Sequence, residues 1–440
     1  MIRNRMPAGI ISLAMLTIAM SFAVNTTTVC AQSFVLKDGD TVVFYGDSIT
    51  AQRLYTKAVE EFVLTRYPRM HIRFVNAGVP GDITTGGYAG SMAERVARDV
   101  APWEPRMVVV MLGMNDGGWG YGSPDQIEDN FKTQYEALLH AIHEAAPGAT
   151  LTLATSPPYD EVTHGTEFPG YSKMIDRLAT DVSRIAAQWQ KSGEQKPLFA
   201  DFHRPMVDAL ERAKASDPQL AALLIPDRIH PGEAAHWIMA TALMKTWHVE
   251  PVISKVDLRE ADVTSTNSEH TAVSDLKKSA TGIEWAQLDE ALPLPLDLNN
   301  AMTTLLLNAS DISEVDRQML RVDGLKPGNY DLRIDGKQIA SFSTAELQHG
   351  VNLALYRTPM LDQAREIASK EEERAELDRA RFALSANVKQ IATTGIAEST
   401  LRAAQGDIDA EIRKELSPKP HHFELQLEHP VQQNSAAVGH

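Results

Sequence analysis

The sequence predicts an α/β protein: a three-layer α/β/α domain on a parallel sheet, followed by a smaller region of short strands and helices. Three observations carry this. Between residues 33 and 250, short apolar runs alternate with longer stretches in which apolar side chains recur at helical spacing. Such alternation builds crossover units that cover both faces of a parallel sheet. The runs are rich in valine, leucine and methionine and nearly free of charge, as strands buried on both faces are. Beyond Pro251 the alternation stops, and turn signals such as Asp335-Gly336 separate short runs instead.

In chain order, strands are predicted at Thr41–Tyr45, Ile72–Asn76, Met107–Leu112, Thr150–Thr155 and Leu198–Asp201. Helices are predicted near Ile49–Tyr67, Gly86–Asp99, Pro124–Ala146, Tyr171–Lys191 and Gly232–Trp247. Farther on, Asp262–Ser279 reads as a polar connector or peripheral element. Thr303–Asn308, Met319–Val322, Tyr330–Ile334 and Gln338–Phe342 read as short strands, and Gly350–Leu355 as another strand or an approach loop. From Pro359 to about Lys414 the pattern is helical, with the charge run Lys370–Arg381 read as a solvated face, and His421–Leu427 closes as a strand. The stretch from Val351 to Met360 is too apolar for a free linker and is expected to pack back onto the first domain near its active end. The resulting division is a leader at 1–31, a first domain at 32–250 and an accessory region at 251–440, with short strands about 300–357 and helices about 359–415.

The 440-residue chain has 42 Lys and Arg against 58 Asp and Glu, a formal charge of −16. An acidic surface argues against nucleic-acid backbones and anionic membranes as partners. The N-terminus reads as an export signal: Arg3 and Arg5, an apolar block from Ala8 to Val24, then a short polar run to Cys30-Ala31. Cleavage is expected after Ala31. It would take the charge to −18, remove the sole cysteine, Cys30, and leave a periplasmic or secreted protein with no stable membrane insertion.

Four signals carry the chemistry. Gly46-Asp47-Ser48 follows the first strand and precedes a helix, which lifts the Ser48 hydroxyl above the sheet end with its N–H at a helix start. Asn76-Ala77-Gly78-Val79-Pro80-Gly81-Asp82 is a glycine-punctuated loop after the second strand, and Gly81, lacking a Cβ, lets its N–H approach a substrate oxygen. Gly113-Met114-Asn115-Asp116 follows the third strand and offers a side-chain amide to the same oxygen. Asp227-Arg228-Ile229-His230-Pro231-Gly232 sets an acid and an imidazole three apart on a turn, so that Asp227 can fix one ring nitrogen while the other faces Ser48. Singly, each has a duller reading: Ser48 as a helix cap, Asn115 and Asp116 as turn formers, His230 as a surface histidine.

As an ordered set, from Thr41 to Pro231, these motifs resemble the SGNH hydrolases, the GDSL-type esterases and lipases. The resemblance implies a flavodoxin-like core, a Ser48 nucleophile, a His230 base oriented by Asp227, and an oxyanion hole made by the N–H groups of Ser48 and Gly81 and the amide of Asn115. It implies no metal or organic cofactor. The expected activity is hydrolysis of short acyl esters, acetyl above all, on carbohydrate. The alternatives are a lipase acting on longer chains and a glycan-binding protein on a hydrolase scaffold. A histidine base predicts that activity falls as pH drops through about 6.5.

Asp47, Trp119 and Tyr121 are further candidates for substrate contact, although Asp47 also reads as a residue bonding backbone around its turn, and the two rings as cover for the sheet edge. Glu136, His140, His143 and Glu144 share a helix at ligand-like spacing but read as a wet surface rather than a metal site. His236, one turn beyond His230, reads as structural.

Overall fold

The first strand shows how the fold begins. In β1 (Thr41–Gly46), Val42 and Phe44 face one layer of helices, and Val43 and Tyr45 face the other. The alternation is hidden in the sequence because both faces are apolar. The same division holds in β3 (Met107–Met111), where Met107, Val109 and Met111 join the first core and Val108 and Val110 the second. The computed structural model describes residues 33–189, 195–263, 266–279, 281–387 and 392–428. The expected leader and its cleavage point lie outside the described residues.

With β2 (Arg73–Gly78), β4 (Thr150–Ala154) and β5 (Leu198–Ala200), these strands form a five-stranded sheet in the order β2-β1-β3-β4-β5. Every pairing in it is parallel. Order reverses beside β1, the point at which an open parallel sheet leaves a crevice at its carboxyl ends. Long helices α3 (Pro124–Ala145) and α4 (Tyr171–Gln188) cover one face. α5 (His203–Ser216) and α6 (Glu233–Thr246) cover the other together with α2 (Leu54–Arg66).

Several sequence expectations are corrected here. The helix expected from Ile49 to Tyr67 is two: a four-residue α1 (Ser48–Ala51), a corner at Gln52 and Arg53, then α2. Arg53 adopts the left-handed region (φ 66°), which ends α1. The helix expected from Gly86 opens as a small hairpin, Gly86–Gly87 with Gly90–Ser91, before helical turns begin at Met92. α5 was not anticipated.

After Pro251 two further sheets form. One is antiparallel, β8-β9-β14-β11-β12, from Thr271–Lys278, Gly282–Asp289, His421–Leu427, Asn329–Ile334 and Lys337–Ser343. Its centre is marked by Trp285 stacked on its cross-strand partner Phe423, centroids 5.0 Å apart. The other is mixed, β13-β10-β6-β7, from Val351–Asn352, Arg317–Asp323, Val252–Arg259 and Thr266–Glu269. The expected polar connector at Asp262–Ser279 therefore contains β7 and β8. The expected strand at Thr303–Asn308 is helix α7 (Ala301–Ala309), capped by Asn300, whose side chain accepts from the N–H of Met302 at 2.9 Å.

The division at residue 250 does not correspond to a gap in packing. Leu294, Leu296, Leu305, Leu306, Ile312 and Val315 complete the first core. Arg66 at the end of α2 is sealed against Asp316 (3.0 Å), with side chains 3% and 5% exposed, and also donates to the carbonyls of Glu250 and Val315. Both Asp316 oxygens accept from the N–H of Leu294 at 3.1 Å. Leu353 and Met360, which follow the short helix α8 (Thr344–His349), pack in the C-terminal core, not on the first domain as expected. The return contact is made instead by α9 (Pro359–Asn387), through the charge run expected to be solvated. Glu371 and Ala375 are buried there, Glu372 binds Lys57 at 2.6 Å, and Arg374 binds Glu60, tying α9 to α2.

Candidate active site

Ser48 is the first residue of α1, immediately beyond the carboxyl end of β1. Gly46 is required at this turn: a Cβ on it would fall 2.2 Å from Thr50 Oγ1 and 2.7 Å from the Met111 carbonyl, so no larger residue lets α1 fold down so closely. Asp47 caps α1, its Oδ1 accepting from the N–H of Ile49 at 2.9 Å. The N–H groups of the first turn remain free of helical partners, and the dipole there favours negative charge.

His230 arrives from the segment before α6. Its Nε2 lies 2.8 Å from Ser48 Oγ, although 182 positions separate the two residues. On the far side of the ring, Nδ1 donates to Asp227 Oδ2 at 2.7 Å. Asp227 also organises its own turn, because Oδ1 accepts from the N–H groups of Ile229 (3.0 Å) and His230 (2.7 Å). One carboxylate thus shapes the backbone and fixes the ring's tautomer, which leaves Nε2 as the acceptor for the serine O–H. Burial opposes ionisation of Asp227, but the bonds from His230 and Ile229 outweigh it and hold the carboxyl below its usual range. The arrangement is open to water, with the His230 and Asp227 side chains 30% and 54% exposed.

The loop that carries Gly81 is a tight turn. Asp82 N–H donates to the Val79 carbonyl (3.2 Å) across Pro80-Gly81, and Gly81 has φ +75°. Proline then a left-handed glycine is the composition of a type II turn, which explains why this position is glycine. The N–H of Gly78, the last residue of β2, is already committed to Asn76 Oδ1 at 3.1 Å. Asn115 donates one amide hydrogen to the Asp82 carbonyl at 3.0 Å, which ties it to the turn that carries Gly81 and leaves its second hydrogen uncommitted.

This loop rests on a buried network that sequence reasoning missed. Arg95, fully buried, binds Asp82 and the Ala77 carbonyl, and its guanidinium lies 4.3 Å from the centre of the Tyr45 ring. Asp116 Oδ1 accepts from the N–H (2.9 Å) and hydroxyl (2.8 Å) of Thr84, and burial raises its carboxyl to about 6. The one available signal was acids at positions 82 and 116 flanking the glycine and the amide.

The expected substrate contacts fall elsewhere. Asp47 has no exposed surface, and burial foremost, with Asp116 and Asp82 adding to it, pushes its carboxyl up to about 7; it is a cap, not a substrate contact. Trp119 stacks on Tyr171 (4.7 Å, 14°) and packs against the core. Tyr121 is 79% exposed. Neither borders the cleft of about 330 Å³ above the serine, which is lined by Ser48, Ala51, Gln52, Pro80, Asp227 and His230. His140 stacks on Trp189 at 5.1 Å, so it belongs to a side-chain packing contact rather than to an open helix face.

A serine hydroxyl with a ring nitrogen within hydrogen-bond reach and a carboxylate behind the ring lies inside the region that a family model matches. Residues 44–238 belong to the GDSL-like lipase/acylhydrolase family. The chain is thus an ester-hydrolase-family enzyme over that segment. An acetylxylan esterase of Geobacillus stearothermophilus is 27% identical over 234 residues, 49% of this chain and 98% of that protein. Its crystal structure superposes with a TM-score of 0.37 at 24% identity, covering 49% of this chain and 99% of that one. A gut microbial diltiazem-metabolizing enzyme superposes with a TM-score of 0.73 at 24% identity over 89% of this chain and 98% of that one. The last match extends the shared fold through the C-terminal sheets.

Proposed function

We propose that the GDSL-type domain is a serine esterase that removes short acyl groups, acetyl above all, from carbohydrate. The observation that carries the reading is the pair of bonds, 2.8 and 2.7 Å, that link Ser48 to His230 and His230 to Asp227. In the first step Ser48 Oγ attacks the ester carbonyl as its proton passes to His230 Nε2, while Asp227 stabilises the imidazolium. The N–H groups of Ser48 and Gly81 and the free amide hydrogen of Asn115 receive the oxyanion, each worth on the order of 3 kcal/mol in barrier. His230 then protonates the leaving alcohol and activates water against the acyl-enzyme.

The cleft supports the acyl preference. Its lining offers a hydroxyl, an amide, a carboxylate and an imidazole, with only Ala51 and Pro80 apolar, and long acyl chains need a continuous apolar channel. The 27% identical acetylxylan esterase supports a sugar-borne acetyl group. Action outside the cytoplasm, after removal of residues 1–31, belongs to the same proposal. No helix among the described residues is long and apolar enough to cross a membrane.

The test is a series of p-nitrophenyl esters together with acetate release from acetylated glycans. The expected kcat/KM peaks at two to four carbons, and Ser48→Ala lowers kcat by about 10⁶-fold with the fold intact. A maximum at eight carbons or more rejects the acetyl preference, and full activity in Ser48→Ala rejects the nucleophile.

A further inference from the structure

The corner that separates α1 from α2 is built around a buried histidine. His236 is fully buried, and the N–H of Tyr55, near the start of α2, donates to its Nδ1 at 3.1 Å. The remaining hydrogen is therefore on Nε2, which donates to Gln52 Oε1 at 3.1 Å. Burial lowers His236 to about 3, which keeps the ring neutral and the assignment fixed. Gln52, with its oxygen engaged, is left to present its NH2 group, and it lines the cleft over Ser48.

Gln52 also lines a second cleft of about 240 Å³, enclosed by the corner, α2, the start of α6 and the charged face of α9. That volume is far more than a single water needs, so the cleft has room for a small ligand. Most charges in its walls are engaged: Glu372 takes Lys57 (2.6 Å) and Arg379 (2.8 Å), while Arg374 takes Glu60 and Glu371. Arg53 and Glu233 also line the cleft and, among the described residues, make no ion pair or side-chain hydrogen bond; they act on the other charges only at longer range, Arg53 favouring the ionised form of Glu371 and Glu233 the charged form of Lys57. An anion drawn to Arg53 would meet several carboxylates, and a cation would find most of them already taken. A guanidinium donor and a carboxylate acceptor in the walls of one cleft, neither committed to a hydrogen bond, suit adjacent hydroxyls, each of which gives and accepts a hydrogen bond.

We infer that this second cleft is a subsite for a neutral polyhydroxylated unit, the sugar next to the one that bears the acyl group, reached from Ser48 past Gln52 and held by Arg53 and Glu233. The inference rests on the reading of Ser48 as a nucleophile toward sugar esters, and it gives the C-terminal half a part in substrate binding, since α9 forms one wall.

Binding of unacetylated neutral oligosaccharides of one to four units to the full chain, followed by titration calorimetry, tests it without requiring turnover. The expected affinity rises between one and two units, then levels. Arg53→Gly, which suits the left-handed backbone at that position, weakens binding of the two-unit ligand tenfold or more. Glu233→Gln weakens it severalfold, with unchanged melting temperatures in both. No binding at 10 mM, or equal affinity in all three proteins, overturns the subsite. If Arg53-dependent binding persists but acetylated sugars release no acetate, the subsite stands and the esterase reading falls. If acetate is released while binding ignores Arg53 and Glu233, the esterase reading stands and the subsite falls.

Discussion

Two acid–base pairs in this molecule lie in opposite surroundings. Asp227 and His230 are three residues apart, exposed, and joined at 2.7 Å on a turn that Asp227 itself shapes. Arg66 and Asp316 are 250 residues apart and sealed from water where the parallel-sheet core meets the chain beyond Pro251. Open to solvent, the first pair contributes little to stability, and its value is the orientation it imposes on a ring. The second does no chemistry. Once buried, either member alone would be an uncompensated charge, so separating the two regions strands an ion without its partner. The difference teaches that burial, more than charge or distance, separates the scaffold's ions from the site's.

That contrast breaks most sharply at Asp316. Asp316→Ala strands the Arg66 guanidinium and the Leu294 N–H, at an expected cost of about 3–5 kcal/mol. Denaturant titration reads the cost, while kcat per folded molecule stays at the wild-type value. Equal stability in the variant would mean that the seam is not held by its ions.

The next effect lies at the open end. Asn115→Ala is expected to lower kcat by about 10²–10³-fold, roughly 3–4 kcal/mol, with little change in KM. A rise in KM at constant kcat would instead show the amide gripping the ground state.

The smallest effect sharpens the comparison through pH. Glu61 on α2 is buried beside α9, and burial, opposed by Lys57 and reinforced by Glu371, Glu233 and Glu372, raises its carboxyl to about 8. A raised folded value means the unfolded chain releases its proton first. The associated stability is therefore complete below about 4.5 and fades as pH climbs through about 8. Glu61→Gln should flatten this decline and raise the melting temperature at pH 9 by about 2 °C, the shift of roughly 1 kcal/mol in a large domain. The same slope in the variant would assign the decline to other groups.

Much of the first domain was legible because its signals are local. The strand runs at Thr41 and Met107 and the Asp227–His230 spacing need only neighbours to be read. What stayed hidden depends on distant partners. The corner at Arg53 is invisible to apolar periodicity, since the ring that caps α2 belongs to His236, 181 positions from Tyr55. Strand β8 alternates weakly because it is an edge strand with water on one side, so its polar residues read as a connector. The run at Thr303–Asn308 has the short apolar texture of a strand, yet the core it enters accepts a helix. The charge run on α9 looked solvated because nothing in its own sequence names Lys57 and Glu60 as its counterparts.

The sealed contact at Arg66 also limits what protein engineers can exchange. A chimera joined at residue 250 would inherit a cation with no acceptor and a half-built apolar layer. A workable graft has to carry the α7 segment, Asp316 included, along with the catalytic half.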